Sequence, residues 1–126
     1  KLRGAAGMVG LETAFAVCYT KLCRQEGLPL SLLVRLMSAN PAAILGLDNR
    51  GAVEPGAAAD LVLVDLEHPY TVDRDALHSK SRNCPYHGET LYGRVCATLR
   101  AGKLTYTADE TPAAPPIPAN GKEVLQ

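Results

Sequence analysis

Apolar residues in the first part of the chain recur with the spacing of one helical face. The intervals i, i+3, i+4, i+7 and i+11 over positions 11–22 predict a helix from about Gly10 to Glu26. Gly27 follows as a plausible C-terminal stop. The apolar positions that carry the pattern are Leu11, Ala14, Phe15, Cys18 and Leu22.

The helical pattern restarts after this glycine. Ser31 is a suitable N-cap for a second helix, whose apolar face holds Leu33, Leu36 and Met37. Asn40 is a suitable N-cap for a third, short helix that ends near Gly46, because Pro41 would then occupy the first helical position.

Beyond residue 50 the pattern changes to that of strands. A β-rich run covers Leu61–Leu66, and a hairpin is predicted from strands Gly93–Leu99 and Lys103–Tyr106 with a turn at Ala101-Gly102. The segment 109–126 is rich in Pro and polar residues and is expected to be a loosely attached tail.

Helices followed by strands indicate an α+β arrangement, with a boundary near residue 50. A few strands with one apolar face need a partner layer. That layer is supplied either by the preceding helices or by residues upstream of Lys1.

Composition narrows the classes of partner. The 126 residues carry 13 acidic and 13 basic side chains, so the formal net charge is zero, which argues against nucleic acid. No apolar run approaches the ~20 residues of a membrane span. The four cysteines form no CxxC pair, which predicts free thiols in a reducing cytoplasm.

The residue types of metal and nucleophilic chemistry are present without the spacing that such sites need. The histidines His68, His78 and His87 form no i, i+2 strand pair and no i, i+4 helix pair, so surface or loop roles are expected. Cys84, before Pro85, has no base placed beside it by the sequence and is expected to be an ordinary loop residue.

The carboxylates also have structural explanations. Asp60 and Asp65 bracket a strand at an odd separation, so they point to opposite faces, and they are expected to cap turns at the strand ends. Glu12 would lie in the first turn of the first helix, where the helix dipole favours an acid.

The glycine-rich stretch at residues 3–15, RGAAGMVGLETAF, has two interpretations. It lacks a GxGxxG pattern and a P-loop Lys-Ser/Thr, which disfavours phosphate binding. It is either a simple connector into the helix or a loop whose backbone approaches a small ligand closely.

Four stretches, in order, resemble the dihydroorotases of the amidohydrolase superfamily. GMVGLETAF (7–15) is similar to their Gly-Leu-Glu-Thr stretch, and SANPAAILGL (38–47) is similar to their Asn-Pro-Ala helix. GAVEPGAAADLVLVDL (51–66) resembles the alanine-aspartate strand of the whole superfamily. SKSRNCPYHGETLYGRVCATLRAGKLTY (79–106) resembles the dihydroorotase ending, and Asn83, Pro85, Tyr86 and Gly88 carry its motif.

The resemblance implies a fold. Members are (β/α)₈ TIM barrels with a small β-sandwich, and this chain resembles their C-terminal end. Residues 1–50 would be the closing loop and helices of the barrel, 51–108 would be C-terminal sandwich strands, and 109–126 would extend past the usual end.

The resemblance also implies a chemistry: the reversible conversion of L-dihydroorotate to N-carbamoyl-L-aspartate in pyrimidine synthesis. Zinc would be bound by upstream residues absent from this chain, so no catalytic residue and no metal ligand is expected within it. The backbone of Ala6 and Gly7 would bind the small-molecule substrate, in a loop where alanine stands at Ala5 or Ala6 instead of the family's usual proline. The full-length protein would be a cytoplasmic homodimer, and the fragment alone would be inactive.

Two alternatives remain open. The first is a hydantoinase- or allantoinase-type cyclic amidase. The second is a non-catalytic dihydroorotase-like subunit that assembles with another protein.

Overall fold

The first helical segment lies where the apolar spacing predicts it but begins later. The structure is a computed structural model and describes residues 7–108. Helix α1 spans Ala14–Cys18 and continues as a π-helix over Tyr19–Gln25. Residues 11–13 form a turn instead of the predicted first helical turn. The helix ends before Gly27, whose φ of +75° confirms the predicted stop.

The second and third predicted helices are one continuous helical run. Helix α2 spans Leu30–Val34, a π-helix spans Arg35–Ala39, and helix α3 spans Asn40–Ile44. The predicted caps are wrong: α2 begins one residue before Ser31, and neither α2 nor α3 has a side-chain cap.

The reason that Asn40 starts no separate helix is local. Its φ and ψ are helical, at −65° and −47°, and its N–H donates to the carbonyl of Arg35, five residues back. This wider turn lies directly before Pro41, at a place where a proline in a regular α-helix would remove a hydrogen bond and clash with the preceding turn. The helix therefore continues through Pro41.

The strands form two small antiparallel sheets. Strand β1 (Leu61–Asp65), strand β4 (Arg94–Arg100) and strand β5 (Lys103–Thr107) form a three-stranded sheet in the order β1-β4-β5. Strands β2 (Tyr70–Thr71) and β3 (Thr90–Leu91) pair with each other. The three long strands confirm the sequence prediction, and the two-residue strands were not predicted.

The predicted hairpin turn is confirmed in detail. Ala101 and Gly102 have φ values of 49° and 75°, and positive φ at both central residues is what a type I′ hairpin turn requires. Asp60, directly before β1, accepts a hydrogen bond from the Ala101 N–H at 2.7 Å, and the guanidinium of Arg50 donates to it at 3.0 Å. Asp60 therefore fixes the turn, as its predicted capping role requires.

The main buried cluster lies between the first helical segment and the short strands. Ala16, Val72, Cys84 and Leu91 form it, and Leu91 is completely buried. Cys84 lies in a loop, as expected, but its side chain is buried in the core instead of being an ordinary exposed loop side chain. Partly buried side chains that pack around the cluster are Val17, Tyr70, Leu77 and Tyr86.

A buried polar contact joins the helical part to the strand part. The hydroxyl of Thr20, which is 5% exposed, donates to the Tyr92 carbonyl at 3.2 Å and accepts from the Tyr92 N–H at 2.8 Å. The guanidinium carbon of Arg24 lies 3.8 Å from the centre of the Tyr92 ring. The first helix therefore supplies part of the layer that the strands need.

Several large apolar side chains remain exposed, among them Leu11 at 95% and Ile44 at 83%. Within residues 7–108, no helix has the length and apolar character needed to cross a membrane.

Candidate functional site

The glycine-rich loop that precedes α1 is fixed to a segment far along the chain. The N–H of Val9 donates to the Asn83 carbonyl at 2.9 Å, and the side-chain amide of Asn83 donates to the Gly7 carbonyl. Gly7 and Asn83 are 76 positions apart. Two stretches that are similar to dihydroorotases are therefore in direct contact.

Gly7 has a backbone conformation that favours glycine. Its φ is +95°, in the region that L side chains rarely adopt, while a Cβ at this position would have no atom within 4 Å in the described structure. The conformation, rather than crowding, is what selects glycine here. Among the described residues, none accepts a hydrogen bond from the N–H of Gly7 or Met8.

The far end of the loop is attached by Glu12. Its carboxylate accepts from the His78 N–H at 3.0 Å and the Ser79 N–H at 3.1 Å, and it contacts Nδ1 of His78 at 3.0 Å. Burial raises the pKa of Glu12, but the hydrogen bonds from His78 and Ser79 outweigh it, so the pKa lies below its ordinary value. The sequence interpretation of Glu12 is wrong in one respect, since it lies ahead of α1 and binds a distant loop instead of stabilising a helix end.

A cleft of about 1330 Å³ lies beside this loop. Residues 7–13 form one side, and β2, the following turn and parts of β4 and β5 form the others. Tyr106 meets the His78 ring edge to face, with centroids 6.2 Å apart. Burial raises the pKa of Tyr70, so this side chain is a neutral phenol at the cleft. Polar side chains that line the cleft besides these include Asp73, Ser79, Ser81, Asn83 and Arg94.

The histidines lie apart from one another. Nδ1 of His68 contacts the Asp65 carboxylate at 2.9 Å, and Asp65 also accepts from the N–H groups of Glu67 and His68, so Asp65 caps a turn as predicted. Nδ1 of His87 accepts from the Arg74 N–H at 3.2 Å. Within the part of the chain that the structure describes, no three His, Cys, Asp or Glu side chains converge as a metal site would require.

The four cysteines are free thiols, as the sequence predicts. Burial raises the pKa of the Cys23 thiol, and the neighbouring Cys18 adds to the shift. A raised thiol pKa lowers the thiolate fraction and hence the reactivity of Cys23.

Comparison with known proteins assigns the chain to a family. Residues 4–105 match the amidohydrolase family. The chain belongs to the amidohydrolase family. The match includes the glycine-rich loop, both helical segments, strands β1 and β4, and the first part of β5.

Curated relatives of this amidohydrolase chain include the dihydroorotase of Clostridium botulinum, which is 50% identical over 106 residues. The dihydroorotase of Lactiplantibacillus plantarum is 44% identical over 102 residues. These alignments cover 84% and 81% of this chain but only 26% and 24% of the relatives. The chain therefore spans about a quarter of the length of the curated relatives that it matches.

Solved structures support the fold. The dihydropyrimidinase of Brevibacillus agri matches with a TM-score of 0.67 and 23% identity, and the D-hydantoinase of a Bacillus species with 0.65 and 24%. Each match covers 71% of this chain and 20% of the solved chain. At this level of identity the likeness shows the fold alone, and this amidohydrolase chain is a portion of that fold.

The site contains two residues whose roles spacing did not reveal. In the sequence Asn83 belongs to a family motif, and Glu12 is predicted to be an acid at a helix end. Both act across more than sixty positions of sequence, and no local pattern signals such a contact. Ala6, the other predicted backbone contact, lies outside the described residues.

Proposed function

We propose that the complete protein containing this chain is a dihydroorotase, which interconverts L-dihydroorotate and N-carbamoyl-L-aspartate. The observation that carries the proposal is the 50% identity to a dihydroorotase over 106 residues. The alternative of a hydantoinase-type cyclic amidase has weaker support, because the solved structures of that kind are only 23–24% identical.

In this proposal the chain is the C-terminal part of the enzyme. Residues 1–50 supply the closing loop and helices of a (β/α)₈ barrel, residues 51–108 supply sandwich strands, and 109–126 form a tail outside the described residues. The number of large exposed apolar side chains supports this arrangement, because exposed apolar surface often marks contacts with other parts of a protein. Those exposed by 40% or more on the helices and strands include Leu36, Met37, Ile44, Leu63 and Leu104.

The backbone of Ala6 and Gly7 is proposed to bind the cyclic amide substrate. The support for Gly7 is its place at the cleft and an N–H for which no described residue is an acceptor. A ring amide carries both a C=O acceptor and an N–H donor, and a loop backbone offers complementary groups. Barrel enzymes place such loops over their active sites, which also favours this role.

Zinc is proposed to be held by residues of the protein that this chain does not include. The described residues do not fit a metal site, since no three ligand side chains converge within 7–108. A zinc ion in the complete enzyme would supply Lewis-acid chemistry at the scissile amide. A cytoplasmic homodimer remains the expected form of the full-length protein.

The test is a substrate comparison with the purified, zinc-loaded complete protein. Hydrolysis of L-dihydroorotate, hydantoin, dihydrouracil and allantoin is measured under identical conditions. We expect kcat/KM for dihydroorotate to exceed the others by at least about 100-fold, because a site built for a charged substituent rejects rings that lack it. A preference for hydantoin or allantoin would favour the cyclic amidase, and no hydrolysis of any ring would favour the non-catalytic subunit.

A further inference from the structure

The motif around Asn83 has a role in the structure that the proposed reaction does not account for. Two different groups of Asn83 hold the glycine-rich loop: its carbonyl accepts from the Val9 N–H at 2.9 Å, and its side-chain amide donates to the Gly7 carbonyl. The two contacts lie on either side of Met8. They therefore fix both the position and the rotation of the peptide units between Gly7 and Val9.

We propose that Asn83 is a positioning residue for substrate binding, which acts by holding the Gly7 backbone in the orientation that meets the ring amide. The proposal rests on the proposed function for the role of Gly7. Asn83 itself need not touch the substrate. Its amide binds the Gly7 carbonyl, which sets the rotation of the next peptide unit and narrows the range of the Gly7 φ and ψ.

The main chain around Asn83 is itself held by hydrogen bonds and by core packing. The Asn83 N–H donates to the Ser81 hydroxyl at 3.3 Å, and the Cys84 N–H donates to the Arg82 carbonyl at 2.9 Å. Cys84, the next residue, is 8% exposed and belongs to the main buried cluster. A movement of Asn83 would disturb that packing. The core therefore restricts the movement of Asn83 and, through it, of the glycine-rich loop.

Glu12 holds the other end of the loop independently. Its carboxylate takes two backbone N–H groups from His78 and Ser79, and these residues belong to the same stretch of chain as Asn83. The stretch 78–83 thus binds both ends of the loop 7–12. The residues between these two attachments line the cleft.

The contact with the Gly7 carbonyl requires a side chain at position 83 that can donate a hydrogen bond. Aspartate has the shape of asparagine but no N–H to donate, so Asn83→Asp sets a carboxylate oxygen against the Gly7 carbonyl while the main-chain contact to Val9 is retained. A lost hydrogen bond of about 1.4 kcal/mol corresponds to a tenfold change in binding. We therefore expect Asn83→Asp in the complete protein to raise KM for dihydroorotate about tenfold and to change kcat by less than about threefold.

The second readout is independent of activity. Hydrogen–deuterium exchange of a peptide covering residues 7–13 should become about tenfold faster in Asn83→Asp, since the loop loses one attachment. Asn40→Asp is the matched control, because it makes the same substitution at an exposed asparagine whose side chain makes no hydrogen bond to any described residue. It should leave both the exchange and KM unchanged.

Faster exchange together with a raised KM supports the proposal. Unchanged exchange overturns it, and so does faster exchange with an unchanged KM. If Asn83→Asp does not fold, Asn83→Ala gives the same comparison without the oxygen–oxygen repulsion. A parent protein without dihydroorotase activity refutes the proposed function, and in that protein the exchange result alone decides whether Asn83 fixes the loop.

Discussion

The contact between Thr20 and Tyr92 offers a direct measure of how strongly the helical part is coupled to the strands. The Thr20 hydroxyl both donates to and accepts from the Tyr92 backbone, at 3.2 and 2.8 Å, at a site where Thr20 is 5% exposed. Thr20→Val keeps the shape and removes both hydrogen bonds. Two backbone groups are then left without their partner in a largely buried place.

The magnitude follows from the number of groups left unpaired. A buried unpaired polar group costs about 1–3 kcal/mol, and the partial burial of Tyr92 favours the lower half of that range. Two groups therefore cost about 2–4 kcal/mol of local stability. In native-state hydrogen exchange this corresponds to roughly a 30- to 700-fold faster opening.

The assay is native-state exchange of the complete protein, followed in a peptide that contains Gly93. The Gly93 N–H donates to the Asp65 carbonyl at 3.1 Å, a bond that the substitution does not touch. Thr20→Ser is the control, because it keeps the hydroxyl and removes one methyl group, at a cost of about 1 kcal/mol. Equal exchange in the Val and Ser variants would refute the reasoning, because the loss of both hydrogen bonds would then cost no more than the loss of one methyl group.

Three further predictions concern the loop, the hairpin and the core. Gly7→Val in the complete protein should raise KM or lower kcat about tenfold in a dihydroorotase assay, since φ of +95° costs a branched side chain about 1–2 kcal/mol. Asp60→Asn should lower the melting temperature at pH 7, and the difference should shrink as the pH falls below the ordinary carboxyl pKa. The Ala101 N–H and then Arg50 lower the pKa of Asp60, so its stabilisation is present above the ordinary value and is lost as the pH falls through the folded pKa. Leu91→Ala should cost about 2–5 kcal/mol in urea unfolding, because Leu91 is fully buried.

Each of these predictions has a contradicting result. Gly27→Val places the same side chain at a φ of +75° outside the loop, so an equal kinetic effect there would show that general strain, not the loop, lowers activity. A melting difference for Asp60→Asn that does not shrink as the solution is acidified below the ordinary carboxyl pKa would contradict the ionic origin of its effect. A cost below about 1 kcal/mol for Leu91→Ala would contradict its place in the main core.

The fold could be predicted from the sequence where local patterns decide it. The hairpin follows from the residues at Ala101-Gly102 and the flanking alternation, and the first helix follows from its apolar spacing. The predicted cap at Asn40 is wrong because the helix widens before Pro41 and continues through it. The spacing of apolar residues does not reveal that one turn of the helix is wider than the others. Strands β2 and β3 are too short, at two residues each, to leave a pattern.

The candidate site was less predictable, for a physical reason. The loop glycines suggested a backbone that approaches a ligand, but the groups that hold this loop lie 66 to 76 positions away. A carboxylate or an amide has the same local signature whether it faces solvent or a distant peptide. Only the folded chain reveals that Glu12 and Asn83 are attachments of one loop.

The separation between Gly7 and Asn83 has a consequence for biosynthesis. Chains are made at about 5–20 residues per second, so roughly 4–15 seconds pass between the synthesis of Gly7 and that of Asn83, 76 positions later. During that interval α1 can form from its local contacts, but the loop ahead of it lacks the segment that holds it. A nascent chain that stops between Gly7 and Asn83 would contain every glycine of the loop but would lack the contacts that fix the loop conformation.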